Sequence, residues 1–267
     1  MNLQQLEIDI FQELKCPKQG EAYEDCQDAC CYNLNNNRFA VADGVSSSFY
    51  PAIYSRLLTD YFCNSQDEIN RNLFDEKHNW KKWLKNIQNS WVSNVAKKVE
   101  LSNKYYVRNR FHANDHAGST FVGIEIDQEA NQLNWKAMII GDSCLMHFSY
   151  NTQKEKLILN QTYPLTKSDE FNYTPPYFPS RPVKNNPYEP IFIEKEARIN
   201  DRFILATDAI SKWIFNAMEK KLKCLKNMFT IKEEHINLYR NDQECPMEND
   251  DVVMLGLTII DSSKEKE

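Results

Sequence analysis

Phe39-Ala-Val-Ala-Asp-Gly44 runs four apolar residues straight into an acid and a glycine. A short apolar run of this kind reads as a buried strand, and a carboxylate at its rim is costly to desolvate unless something positive neutralises it. The pattern recurs far away in the chain. Arg202-Phe-Ile-Leu-Ala-Thr-Asp208 again closes on an acid, and Asp250-Asp251 leads into Val252-Val-Met-Leu-Gly-Leu257. Asp28 is a fourth acidic position. Brought together, these sites would make a hard, oxygen-rich pocket of the kind that holds Mg²⁺ or Mn²⁺.

The 267 residues fit one large domain, 1–267, better than two, and the 42% hydrophobic and 26% charged fractions are those of a soluble globular protein. A net charge of −6 gives no footprint for nucleic acid or an anionic membrane. No segment approaches the apolar length needed to span a bilayer. The first ten residues carry acids and no basic n-region, so they do not read as a secretory signal, and a cytoplasmic location with reduced thiols is expected. Cys16, Cys26, Cys30, Cys31, Cys63, Cys144, Cys224 and Cys245 include no Cys-x-x-Cys and define neither a disulfide scaffold nor a zinc site.

Strands are expected at Arg38–Ala42, Thr120–Ile126, Leu133–Ile140, Cys144–Ser149, Lys156–Leu159, Ile191–Ile193, Arg202–Ala206 and Val252–Ile260. Trp80, Trp83, Leu84, Ile87, Trp91, Val95 and Val99 recur at three- and four-residue spacing and predict a helix with one apolar face. A second helix starts near Pro51, with Ile53, Leu57, Leu58 and Phe62 on one side. Lys220–Lys226 reads as a solvated helix face. Strands, then helices, then a meander favour an α+β fold of antiparallel sheets with helices packed outside. The stretch from about 163 to 190 is rich in proline and reads as an ordered surface excursion anchored by Phe171, Tyr173, Tyr177 and Phe178.

Read as an ordered set, these segments resemble the metal-dependent protein phosphatase 2C (PPM) family, bacterial type. The matching stretches are Cys26-Gln-Asp28-Ala29, Phe39-Ala-Val-Ala-Asp-Gly-Val45, Gly118-Ser-Thr-Phe-Val122, Ile140-Gly-Asp-Ser143, Phe203-Ile-Leu-Ala-Thr-Asp208 and Asp250-Asp-Val-Val-Met-Leu255. The resemblance implies a β-sandwich of two antiparallel sheets flanked by helices on both outer faces, with two Mg²⁺ or Mn²⁺ ions at one end. It implies Asp43 bridging both ions, the Gly44 carbonyl on one of them, Asp208 and Asp250 on the other, and Asp28 ligating directly or through water. Asp25 lies close enough to be the counterpart in place of Asp28. Asp115 matches the acid that helps hold a third, weaker ion in some relatives, and reads equally as part of a solvated polar loop. Asp142 is expected to serve its turn, and Asp251 to be a turn or supporting residue.

The implied activity is hydrolysis of phosphoserine and phosphothreonine by direct attack of a metal-bridging hydroxide, with Asp43 and Asp208 acting through the metal-bound water. Two ions about 4 Å apart lower the pKa of a shared water and stabilise charge on phosphoryl oxygens, so no Ser or Cys nucleophile is needed. A phosphorylated protein is the expected partner, and a monomer is expected. The chain also departs from the family. The segment Gly20-Glu-Ala-Tyr-Glu-Asp-Cys26 lacks the Arg that grips phosphate in many relatives, with Lys15 and Lys18 nearby. Val45-Ser46 stands where animal members have a His, Ser46-Ser47 replaces a Gly-Gly pair, and Asp208-Ala209 replaces Asp-Gly. These departures motivate a second reading, a non-catalytic member that keeps the fold as a binding module. Nothing in the sequence assigns a substrate-binding residue.

Overall fold

Strands whose two faces are both covered need no polar alternation, and the central strands of this molecule have none. The computed structural model describes residues 6–129, 132–151, 153, 156–184 and 186–261. In chain order the elements are β1 (Leu6–Cys16), β2 (Ala29–Asn33), β3 (Arg38–Ala42), α1 (Pro51–Asn64), α2 (Glu68–Arg71), α3 (Asn79–Leu101), α4 (Tyr105–His112), β4 (Gly118–Ser119), β5 (Phe121–Glu129) and β6 (Gln132–Ile140). They continue with β7 (Cys144–Asn151), β8 (Lys156–Tyr163), β9 (Phe178–Pro179), β10 (Ile191–Glu196), β11 (Arg202–Ala206), α5 (Asp208–Glu219), α6 (Glu233–Arg240) and β12 (Val252–Asp261).

One antiparallel sheet has the order β1-β12-β11-β7-β8, and the second β10-β6-β5-β3-β2. Side chains two apart share a face, so each strand feeds two cores. Phe39 and Val41 of β3 meet Phe203 and Leu205 of β11 and Val253, Leu255 and Leu257 of β12 between the sheets. Ala40 and Ala42 face the other way, against Leu58 and Phe62 of α1 and Trp83, Ile87 and Trp91 of α3. Ile204, Ala206, Val252 and Met254 face outward on the opposite sheet, under Ile210, Trp213 and Ile214 of α5 and Ile236 of α6. Three apolar layers between four layers of structure are the αββα arrangement expected of the sequence.

The helix expected from its Trp and Val spacing is α3, and all seven residues of that stripe are buried. The stretch Lys220–Lys226 is corrected: α5 ends at Glu219, Lys221 takes a left-handed φ of +54°, and only a 3-10 turn follows at Lys223–Asn227. Leu222, Cys224 and Leu225 there pack onto the outer core. Strands β1, β2, β4 and β9 and helices α2, α4, α5 and α6 were not expected. The first five residues, part of the segment from which no secretory signal is read, lie outside the described residues.

The 163–190 excursion is stitched to the sheet flank. Strand β9 pairs with β4, Phe178 is buried against Trp80, Trp83 and Phe121, and the Pro179 carbonyl accepts from Tyr54 Oη and Gln88 Nε2, each at 2.9 Å. Phe171 packs on Phe215, and Tyr177 stacks on His116. Tyr173 does not anchor the segment: it is fully exposed.

Candidate metal centre

Antiparallel register decides which chain ends meet. Ala29 opposite Ala42 puts Asp28, just before β2, beside Asp43, just after β3. Ala206 opposite Met254 and Cys144 brings Asp208, the residues before β12, and the Gly141-Asp142 turn to the end of the other sheet. Cys16 opposite Val252 delivers the loop after β1 to the same place. Gly44 is required by close approach, because a Cβ there would lie 2.8 Å from the Gln27 carbonyl and 3.0 Å from Pro51 Cβ. Ser119 Oγ and Thr120 N both donate to the Asp43 carbonyl, at 2.8 and 2.9 Å, which fixes the backbone that presents the Asp43 side chain. Thr207 clamps β11 to β12: its N–H donates to Val253 O and its Oγ1 accepts from Val253 N, both at 3.0 Å.

The acids so gathered are poorly compensated. Asp28 and Asp142 are buried, and Asp28 Oδ2 and Asp142 Oδ1 have no hydrogen-bond partner among the described residues. Burial, and then the charges of Asp43 and Asp208, push the Asp28 carboxyl well up, against a bond from Thr207 that favours its charged form. Asp43 is pushed up to about 7 by burial and by Asp142, Asp250 and Asp251. Asp208 is raised by burial, then by Asp43 and Asp250, and Asp142 is pushed up to about 7 by burial and then Asp208. The charges of neighbouring carboxylates push all four up, as like charges in a shared site do, while a hydrogen bond from Asp28 partly offsets the rise at Asp43.

Asp250 and Asp251 divide two tasks. Both oxygens of the buried Asp251 are taken by backbone, Oδ1 by Lys18 N at 2.9 Å and Oδ2 by Gln27 N at 2.7 Å, so it latches the loop between β1 and β2. Asp250 is half-exposed, and its Oδ1 lies 2.9 Å from Lys18 Nζ. Arg240 of α6 braces both segments, donating to Pro17 O at 2.9 Å and to Asp250 O at 2.6 Å. Arg240 belongs to no motif, and Thr207, though inside the 203–208 stretch, and Lys18 show their supporting roles only through their contacts. Asp25 stands in a 3-10 turn with no link to the cluster among the contacts described, whereas Asp28 is in it. Asp115 sits apart from the other acids, paired with Arg110 Nε at 2.6 Å. The pair lines a cleft of about 400 Å³ with Val45, Ser47, His116 and Tyr177.

No three His, Cys, Asp or Glu side chains among the described residues are already drawn into a coordination shell. The donor set nonetheless fits a hard divalent cation: all oxygen, mutually repelling, with two buried carboxylate oxygens unpartnered. Among the described residues, neither the His147 cluster nor the Cys26 and Cys30 thiols present an activated nucleophile. His147 and Asp201 are buried with the half-buried Ser149 beside them, but Ser149 Oγ donates to Asp201 Oδ1 at 2.7 Å, so the carboxylate separates the hydroxyl from the imidazole. All eight cysteines are free, and burial pushes the thiols of Cys26 and Cys30 up to about 12.

No protein-family model and no curated relative matches the sequence. Solved structures do match. The serine/threonine phosphatase PstP/Ppp of Mycobacterium tuberculosis superposes with a TM-score of 0.54 at 15% identity, over 96% of this chain and 100% of that one. PppA, a regulatory component of type VI secretion in Pseudomonas aeruginosa, gives 0.54 at 11% identity, over 95% and 98%. The PstP catalytic domain in complex with 2 manganese ions gives 0.50 at 16%, over 96% and 100%. The two antiparallel sheets with helices on both outer faces are therefore the fold of the bacterial PP2C-type serine/threonine phosphatases.

Proposed function

We propose that this chain is a divalent-metal-dependent phosphatase acting on phosphoserine and phosphothreonine in proteins. The observation that carries the reading is the gathering of Asp28, Asp43, Asp142 and Asp208 at one end of the sandwich, each raised by burial and by the charge of at least one other acid in the cluster. In this reading Asp43, the Gly44 carbonyl, Asp208 and Asp250 would hold two Mg²⁺ or Mn²⁺ ions, with Asp28 contributing directly or through water. Such ions, when bound, supply a water acidic enough to lose its proton near neutral pH and offset charge on the phosphoryl oxygens. The chain's own part is positional. Ser119 and Thr120 fix Asp43, Thr207 fixes Asp208 against β12, and Asp251 and Arg240 hold the loop that walls the site. The cleft beside Val45 and Ser47 takes the polypeptide flanking the phosphorylated residue. A third ion at Asp115 requires the Arg110 pair to open.

The test is Mn²⁺-dependent release of phosphate from a phosphothreonine peptide and from an aryl phosphate, compared with Asp43→Asn and Asp208→Asn. Turnover no higher than in those variants overturns the proposal. A second reading, a binding module without catalysis, is favoured by the Lys18 contact to Asp250 and by the missing Arg between Gly20 and Cys26. It expects little Mn²⁺ uptake, so tight binding that Asp43→Asn abolishes tells against it. A panel of phosphoesters separates protein substrates from small ones.

A further inference from the structure

We propose that Lys18 is a tethered competitor for the divalent ion: its ammonium occupies Asp250 in the metal-free protein and must leave for metal to bind there. The proposal rests on the metal-site reading above. Lys18 Nζ lies 2.9 Å from Asp250 Oδ1 and 3.0 Å from Ser46 Oγ, and its side chain is 20% exposed. Ser46 follows Asp43 by three residues, so the ammonium bridges the two sides of the carboxylate cluster. Its delivery is built into the backbone. Lys18 N donates to Asp251 Oδ1, Gln19 N donates to Asn249 Oδ1 at 2.8 Å, and Arg240 ties Pro17 O to Asp250 O. The loop carrying the lysine is thus fastened to the very segment that carries its acceptor.

One ammonium cannot quench this cluster, which holds Asp28, Asp43, Asp142 and Asp208 as well as the pair at 250 and 251. The site still attracts cations. Asp250 Oδ1 holds both the ammonium and the Asp251 N–H, at 2.7 Å, and a dication on either oxygen of that carboxylate would stand within a few ångströms of the ammonium, so the two like charges strongly disfavour joint occupancy. The free energy of the lysine pair is therefore subtracted from metal affinity at Asp250. Lysine suits this role because its charge is compact and its four-carbon stem lets it swing away, whereas a forked guanidinium would be held in place.

The experiment is Mn²⁺ titration calorimetry on the full chain, with Lys18→Met, Lys18→Arg and Lys15→Met. Lys15 is the control for general charge, since its ammonium lies over the Tyr23 ring at 5.3 Å. Lys18→Met is expected to bind Mn²⁺ about three- to fivefold tighter, the worth of a half-exposed ion pair. Lys15→Met and Lys18→Arg are expected to change affinity less than that. In the wild type, acylation of Lys18 read by mass spectrometry is expected to rise when Mn²⁺ is added. That second readout decides the matter even if Lys18→Met does not fold. Equal or weaker binding by Lys18→Met, or labelling of Lys18 indifferent to Mn²⁺, overturns the proposal and leaves the metal site standing. If neither wild type nor Lys18→Met takes up Mn²⁺, the metal-site reading falls and this proposal with it.

Discussion

Asp250 and Asp251 are neighbours of one residue type, yet their surroundings set them to different work. Asp251 is buried, and both its oxygens accept backbone N–H groups from a loop more than two hundred residues away in the chain. Hydrogen bonds to a charged acceptor are the stronger kind, and cutting them leaves two donors short of a partner. Asp251→Ala is therefore expected to lower stability by about 2–3 kcal/mol, read by urea unfolding of the metal-free protein. Asp250→Asn removes only a half-exposed ion pair and is expected to cost under about 1 kcal/mol, while Mn²⁺ affinity falls at least about tenfold. If both variants moved the same readout, this division would be wrong. At this scale the sequence displayed the acids but not their supports. Asp43, Asp208 and Asp250 stand at the ends of apolar runs, which marks them, and the fold places them together. Asp142 looked like a turn residue because nothing local shows its burial beside Asp208. Lys18 and Arg240 act through loop contacts, for which no spacing rule exists.

Elements were legible where one environment covers their whole length. Strands β3 and β11 have the expected ends to the residue, because burial on both faces makes them continuous apolar runs. Strand β1 escaped notice although Leu6-Glu-Ile-Asp-Ile10 alternates as a half-buried edge strand should, because Phe11-Gln-Glu breaks the period where the register with β12 shifts. Helix α5 begins at Asp208 itself, so the residue that reads as a strand terminus is also a helix start. Its buried Ile210, Trp213, Ile214 and Ala217 carry the helical spacing. Helix α3 was the easiest to read, and its packing explains why the stripe is so aromatic. Trp83 fills the space between Tyr61, Phe121 and Phe178, with its Nε1 donating to Asn70 Oδ1 at 3.0 Å. Trp83→Ala is expected to cost about 3–5 kcal/mol and Trp83→Phe distinctly less. Because α3 also holds Pro179 through Gln88, the alanine variant is expected to expose the 163–190 segment to protease before the rest of the chain. Uniform cleavage would mean that the excursion is held by other contacts.

For the whole molecule, the carboxylate cluster couples folding to protons and, in the proposed reading, to metal. Asp43 and Asp142 keep their protons up to about pH 7 in the folded chain, through burial and through the charge of a neighbouring acid, Asp142 for the first and Asp208 for the second, whereas in the unfolded chain they release them near pH 4. Between about pH 4 and about pH 7 the folded state thus binds more protons than the unfolded one. Stability contributed by these groups is present at the acid end of that window and is lost as pH rises through it. A divalent cation bound as proposed would reverse the sign, since it would bind the deprotonated carboxylates and its affinity would weaken as acid returns the protons. The gain in Tm on adding Mn²⁺ is accordingly expected to be small near pH 5 and to grow steadily towards pH 8. Other carboxylates and histidines add their own slopes, so the informative quantity is the difference between wild type and Asp43→Asn, whose amide does not titrate. In the metal-free state that variant is expected to gain on the wild type as pH rises, because it lacks a carboxylate forced to ionise beside Asp28 and Asp208. In Mn²⁺ the order is expected to reverse, the wild type rising with pH and Asp43→Asn not following. Parallel curves in both conditions would show that the acids at this end of the sandwich do not act as one electrostatic unit.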